Sequence, residues 1–234
     1  MQRFWKDVGV EAKKGGYRVF LDMRVIKTPS KAELLLPNKA MAQAVAAEWD
    51  AVTGKIDPAQ MPITGFANAA IDRIAPDQTA FVNAVAAFGE TDLFCYHADG
   101  PQALTERQAE IWGQWLRWAQ ARYLVNFTVV TGIMHEPQAK ATTDRLKEAV
   151  AQMSVWQLAA ASKLTHLSGS LIAVLALMEG AADAAALWLD LILDELWQEE
   201  QWGADEYAIK NRRDREADFI SAARFMALSA QGGE

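Results

Sequence analysis

The sequence predicts an α+β protein, with a small N-terminal β-rich (α/β) domain followed by a larger all-helical domain. Two observations carry this. The first forty residues fall into short strand-like segments divided by turn-forming clusters. From Asn38 onward apolar residues recur every three to four positions, the period of a helix. The expected domains are 1–75, a small β-meander plus helix, and 76–234, the helical domain, and 234 residues are ample for a self-sufficient core.

Phe4 to Val10 reads as a first strand and Lys13-Lys14-Gly15-Gly16 as a turn. Tyr17, Val19 and Leu21 alternate with Arg18 and Phe20 on a second strand. Short strands at Val25 to Thr28 and Glu33 to Leu36 follow, bounded by Asp22-Met23-Arg24, Pro29-Ser30 and Pro37. Met41, Val45, Trp49 and Val52 then share one helical face, with Asn38 as N-cap and Gly54 as stop. Ile63, Phe66, Ala67, Ala70, Ile71 and Ile74 form a second stripe, and Phe81, Val82, Val85 and Phe88 a third that Gly89 ends. Residues 103 to 123 make a long helix with Leu104, Ile111, Trp115 and Trp118 on or near one face. Phe127 to Thr131 has strand-forming residues between Asn126 and Gly132. Helices are expected at 138–152, 154–162, 167–179, 184–202 and 205–227.

Composition excludes several functions. Hydrophobic residues make up 51% and charged residues 23%, a globular balance far from that of disordered chains. A net charge of -7 opposes binding to phosphate backbones, so no nucleic-acid partner is expected. The longest apolar run, Leu171 to Met178, is too short to span a bilayer, and no membrane insertion is expected. The single cysteine, Cys95, lies between Phe94 and Tyr96 in the setting of an inert buried thiol, and the chain reads as a soluble, intracellular protein.

Catalytic chemistry finds no support. His97, His135 and His166 have no second ligand at metal spacing, so no metal site is predicted. Neither the P-loop nor the dinucleotide fingerprint occurs, and Ser168-Gly169-Ser170 lacks the context of a nucleophile turn. No catalytic residue, cofactor or small-molecule substrate is assigned, and the chain is read as a non-enzyme.

The segment from Asp190 to Glu206 is the conspicuous one. Asp190, Asp194, Glu195, Glu199, Glu200, Asp205 and Glu206 occur there without a lysine or arginine, and Lys210, Arg212, Arg213 and Arg215 follow at once. Leu189, Ile192, Leu193 and Leu196 define the buried stripe of the helix, with Glu200 within it and Glu199 at its edge, so Glu200 needs solvent or a cation such as Arg212 or Arg213. Glu195, Gln198 and Trp202 fall on the opposite flank, where an acid, an amide and a large aromatic suit a partner-binding patch. The competing reading pairs Glu195 internally with a base of the 210 to 215 segment.

A set of motifs then identifies a resemblance. Phe4-Trp5-Lys6; Leu21-Asp22 with Arg24 and Lys27-Thr28-Pro29; Glu48-Trp49-Asp50; and Ile56-Asp57-Pro58 with Met61-Pro62-Ile63-Thr64 occur in order. Ala70-Ile71-Asp72-Arg73, Glu90-Thr91-Asp92-Leu93, Gly132-Ile133-Met134 and Gly169-Ser170-Leu171 follow, and Asp194-Glu195-Leu196-Trp197-Gln198 with Trp202-Gly203 completes the set. Together they resemble the F1-ATP synthase assembly chaperones that act on the alpha subunit.

The resemblance implies a factor that binds the unassembled F1 alpha subunit and prevents its aggregation until the beta subunit is delivered. It points to Glu195, Gln198, Glu199, Trp202 and Asp205 as the partner-binding set. Met23 stands where the family usually has Gly, which predicts a non-primed or longer turn after Leu21-Asp22. A start at Met1 directly before the first motif, without an Arg- and Ser-rich presequence, predicts a bacterial cytoplasmic member, with the mitochondrial matrix as the alternative. The other readings are an enzyme using a carboxylate pair in the helical domain and a generic protein-binding scaffold. A chaperone must also expose apolar surface, which some of Trp112, Trp115, Trp118, Trp197 and Trp202 would supply.

Overall fold

The computed structural model describes residues 2–230, with a small N-terminal strand-containing region and a mostly helical remainder. Two compact units emerge. One gathers residues 2–78 with Ser154–Ala160 and residues 221–230, and the other takes Thr79–Met153 and Ala161–Ile220.

In the first unit, β1 (Val8–Lys13) and β2 (Gly16–Leu21) form an antiparallel hairpin running from Val8 opposite Leu21 to Lys13 opposite Gly16. Its two-residue loop requires glycine. Gly15 takes φ +92, and a Cβ on Gly16 would lie 2.3 Å from the Leu36 carbonyl oxygen. The other edge of β2 pairs with β3 (Arg24–Val25) and then with β4 (Leu35–Leu36).

The first strand starts later than expected because residues 3 to 7 anchor the chain instead of pairing. The Arg3 guanidinium donates to the carbonyls of Asp50 and Val52 at 2.6 Å each, and the buried Trp5 ring meets Trp49 edge-on at 5.3 Å. The loop after Leu21 is also not the longer or non-primed turn expected. It has two residues, and the positive φ (+54) falls on Asp22, so Met23 needs no unusual backbone. Aspartate tolerates this conformation, and its carboxylate accepts the Lys6 and Asp7 N–H groups at 3.0 Å each.

Helix α1 (Lys39–Asp50) is capped as expected, with Asn38 Oδ1 accepting the Met41 N–H at 2.8 Å. Helix α2 (Pro62–Ala69) continues into a π-helical turn, Ala70–Ile74. Ile63, Ala67, Ala70 and Ile74 from this stretch are buried, as are Val19, Leu36, Met41 and Val45.

In the second unit, α3 (Gln78–Ala86, entered at Thr79) is followed by α4 (Gln102–Tyr123), α5 (Lys140–Ala151), the latter part of α6 (Val155–Ser168) and α7 (Leu171–Met178). Every residue of α7 from Leu171 to Ala176 is buried, which explains the longest apolar run as a core helix. The predicted face of α4 is off by one position. Leu104, Gln108, Trp112, Leu116, Ala119 and Tyr123 point inward, whereas Ile111, Trp115 and Trp118 are half-buried. Of the expected strand at 127–131 only β6 (Val130–Thr131) pairs, in parallel with β5 (Tyr96–His97). Cys95 is buried, and burial raises its thiol pKa as expected of an inert thiol.

The helix expected over 184–202 is two helices, α8 (Ala184–Leu191) and α9 (Leu193–Trp202), broken at Ile192. Leu191, Ile192 and Leu193 are all buried, and three successive residues cannot share one narrow face of a straight helix. The break resets the helical phase, so Leu189 is 54% exposed and Glu200 leaves the buried stripe. The last helix is α10 (Glu206–Ala230).

Candidate functional site

The five predicted site residues converge. Gly203, at φ +88, ends α9, and Asp205 starts α10 by accepting the Ala208 N–H at 2.8 Å. The reversal between the two helices leaves a cleft of about 300 Å³ lined by Glu195, Gln198, Glu199, Trp202 and Asp205, with Ile209 and Arg212 also contributing. Trp202 is 78% exposed and Tyr207 is similarly open.

Five of the seven acids of this segment divide into two groups. Three are tied to α4. Asp190 accepts the Trp115 indole N–H at 2.8 Å through its carboxylate and the Trp112 indole N–H at 2.8 Å through its carbonyl. Asp194 accepts from Gln108 Nε2 at 2.7 Å, and both oxygens of Glu200 meet Arg107 at 2.9 Å. Burial raises the Asp190 pKa, and the bond from Trp115 partly offsets this. Arg107 therefore takes the role expected of Arg212 or Arg213. The missed residues had a detectable signal, because Gln108 is an amide on the inward stripe of α4 and must find a partner there.

The second group lines the cleft. Glu195 pairs with Arg215 at 2.6 Å and Glu199 with Arg212 at 2.5 Å, so the internal pairing considered for Glu195 is present in the fold. Each carboxylate uses one oxygen, and Glu195 Oε2 and Glu199 Oε1 have no protein partner among the described residues. The cleft thus presents spare carboxylate oxygens beside an exposed indole, a chemistry suited to a basic side chain. Among the described residues, no group of three or more His, Cys, Asp or Glu could hold a metal ion, and no helix is long and apolar enough to cross a membrane.

Of the five tryptophans, some of which were expected to supply exposed apolar surface, one does so. Trp112 is buried, Trp115, Trp118 and Trp197 are half-buried, and only Trp202 stands open. Trp112 and Trp115 turn inward because Asp190 satisfies their indole N–H groups there.

The chain is similar to known proteins. The family model for ATP12 chaperone protein covers residues 2–120, half of the chain. The chain belongs to the ATP12 chaperone family. The crystal structure of Atp12 from Paracoccus denitrificans is 38% identical, with a TM-score of 0.93 over 97% of this chain and 98% of that one. The Atu1473 protein of Agrobacterium tumefaciens is 36% identical, again with a TM-score of 0.93, over 97% of this chain and 85% of that one. Mitochondrial protein atp12 of Schizosaccharomyces pombe is 23% identical over 219 residues, 88% of this chain and 75% of the relative.

Most of the other motifs that carried the resemblance meet each other in the fold. Glu48 accepts the Ile63 N–H, the Thr64 N–H and the Thr64 hydroxyl, all at 2.7 Å, and so caps α2. Asp72 accepts the Thr28 hydroxyl at 2.7 Å and the Ser30 N–H at 3.0 Å. Buried Asp92 accepts the Ser170 hydroxyl and the Ile172 N–H at 2.8 Å each, and the Phe94 N–H at 3.1 Å. These pairings explain the motifs as hydrogen-bonded joints of the fold.

Proposed function

We propose that the chain binds the unassembled F1-ATP synthase alpha subunit and keeps it from aggregating until the beta subunit is delivered. Membership of a chaperone family for ATP synthase assembly gives the setting. The observation that carries the reading is the cleft between α9 and α10, where Glu195, Gln198, Glu199, Trp202 and Asp205 come together around an exposed indole. An arginine or lysine of the client would share the carboxylates with Arg212 and Arg215 through their spare oxygens while its stem covers Trp202. Binding of this kind needs no cofactor and no bond-making step, and the protein acts as a non-enzyme. The greater likeness to the Paracoccus and Agrobacterium proteins than to the fission yeast one supports a bacterial cytoplasmic setting.

Co-purification with separately expressed F1 alpha and beta subunits tests this. Retention of alpha and not beta is expected, with less alpha lost to aggregation. Equal retention of both subunits, or of neither, would refute the reading.

A further inference from the structure

One motif takes no part in the joints described above. Gly132-Ile133-Met134 lies at the tip of a loop in the second unit, where Ile133 is 96% exposed and Met134 77% exposed. Exposed apolar side chains on a slack loop would signify little, but this loop is held along its length. At its base the buried Gln138 side chain accepts the Thr128 N–H at 2.9 Å and donates to the Thr128 carbonyl at 2.8 Å, closing the excursion as a strand partner would. Higher up, β6 pairs with β5, and the Gly132 N–H donates to the His97 carbonyl at 2.8 Å. On the return side, the Tyr96 hydroxyl and His135 Nδ1 lie 2.9 Å apart. The chain between these ties is a compact Ω-type loop.

We infer that the tip of this loop, Ile133 with Met134, is a second contact for the client protein and seats in an apolar groove of the unassembled F1 alpha subunit. The inference rests on the proposed function and adds a surface to it. Three observations point to this occupant. The two large side chains of the tip have no cover, so they are free to enter a groove on a partner. The ties at Thr128, Gly132 and His135 fix the tip before binding, so little ordering entropy is lost when it docks. Residues 124 to 134 carry no charge, in a chain of net charge -7, which matches an uncharged apolar groove. A lipid surface matches less well, because membrane-binding loops gain from flanking bases, whereas Glu136 lies beside the tip and the chain is acidic.

The test uses the full chain and the separately expressed alpha subunit. The Ile133→Ser/Met134→Ser double variant should bind alpha about tenfold more weakly or worse and protect it less from aggregation, with an unchanged melting temperature. Met23→Ser removes an equally open apolar side chain from the first unit and should leave affinity unchanged. Undiminished binding by the double variant overturns the inference and leaves the proposed function standing. Equal weakening by Met23→Ser overturns it in favour of indiscriminate apolar contact. Sedimentation of the wild type with phosphatidylglycerol vesicles, lost in the double variant, overturns it in favour of a lipid-binding tip. Failure of the wild-type chain to bind alpha removes both the proposed function and this inference.

Discussion

Asp92 gives the sharpest test of the fold. Its carboxylate is fully buried and accepts three hydrogen bonds, two of them from backbone N–H groups at the starts of Leu93–Cys95 and α7. Burial pushes its pKa up to about 6, the donors from Ile172, Ser170 and Phe94 only partly offsetting the loss of water. A carboxyl whose pKa is higher in the folded than in the unfolded state binds its proton more tightly when folded. Its contribution is therefore fully present below the unfolded pKa and is lost as pH rises through the folded pKa. The window runs from 3.8 to about 6, roughly two units, and the loss across it is about 3 kcal/mol. The Asp92→Asn variant cannot titrate there. Urea unfolding from pH 4.5 to pH 7.5 should show the wild type losing stability relative to the variant by about 2 kcal/mol, since the window is already partly crossed at pH 4.5. His97, whose pKa burial lowers, titrates with the opposite sign, but it is common to both proteins and cancels in the difference. Parallel pH profiles for wild type and variant would refute the reasoning.

Glu48→Ala removes the acceptor of three 2.7 Å hydrogen bonds at the start of α2, which has no side-chain cap of its own, and should cost about 2 kcal/mol by urea midpoint. Glu195→Gln breaks a half-exposed pair with Arg215 and should lower stability by less than about 1 kcal/mol, while alpha-subunit affinity falls and loses salt dependence. An unstable Glu195→Gln protein whose folded fraction binds normally would leave Glu195 a structural residue only. Trp202→Ala, at an open position, should leave the melting temperature unchanged and weaken alpha binding by about 2 kcal/mol in titration calorimetry.

The sequence was informative wherever a local rule acts. Asn38 announces α1 because an N-cap acts within one turn, and the run from Leu171 announces a core helix because nothing polar interrupts it. It was weaker wherever a distant group decides. Residues 3 to 7 are strand-like by composition, yet Arg3 bonds to carbonyls at the end of α1, nearly fifty residues away. The break at Ile192 is similar, since Leu189, Ile192, Leu193 and Leu196 make a sound stripe on paper and only the burial of Leu191 beside Ile192 and Leu193 rules out one straight helix. The grouping of Glu195, Gln198 and Trp202 is unaffected by the break because all three lie beyond it, and their spacing within α9 does not depend on what precedes it.

The partners of the acids show how charge in a sequence becomes a surface. Seven acids without a base look like one uniform patch, yet five of them are distinguished by what the fold places opposite them. Asp190, Asp194 and Glu200 meet α4, where Trp115, Gln108 and Arg107 take up their oxygens. Glu195 and Glu199 meet α10, which supplies one arginine to each and leaves an oxygen of each carboxylate unused. A bare pair of carboxylates four residues apart would repel, and the helix carrying them would be the weaker for it. Arg212 and Arg215 relieve that repulsion without consuming the whole of either acid. The cleft can therefore be stable when empty and still attract a cation, which is the balance a chaperone needs if it is to hold its client and later release it.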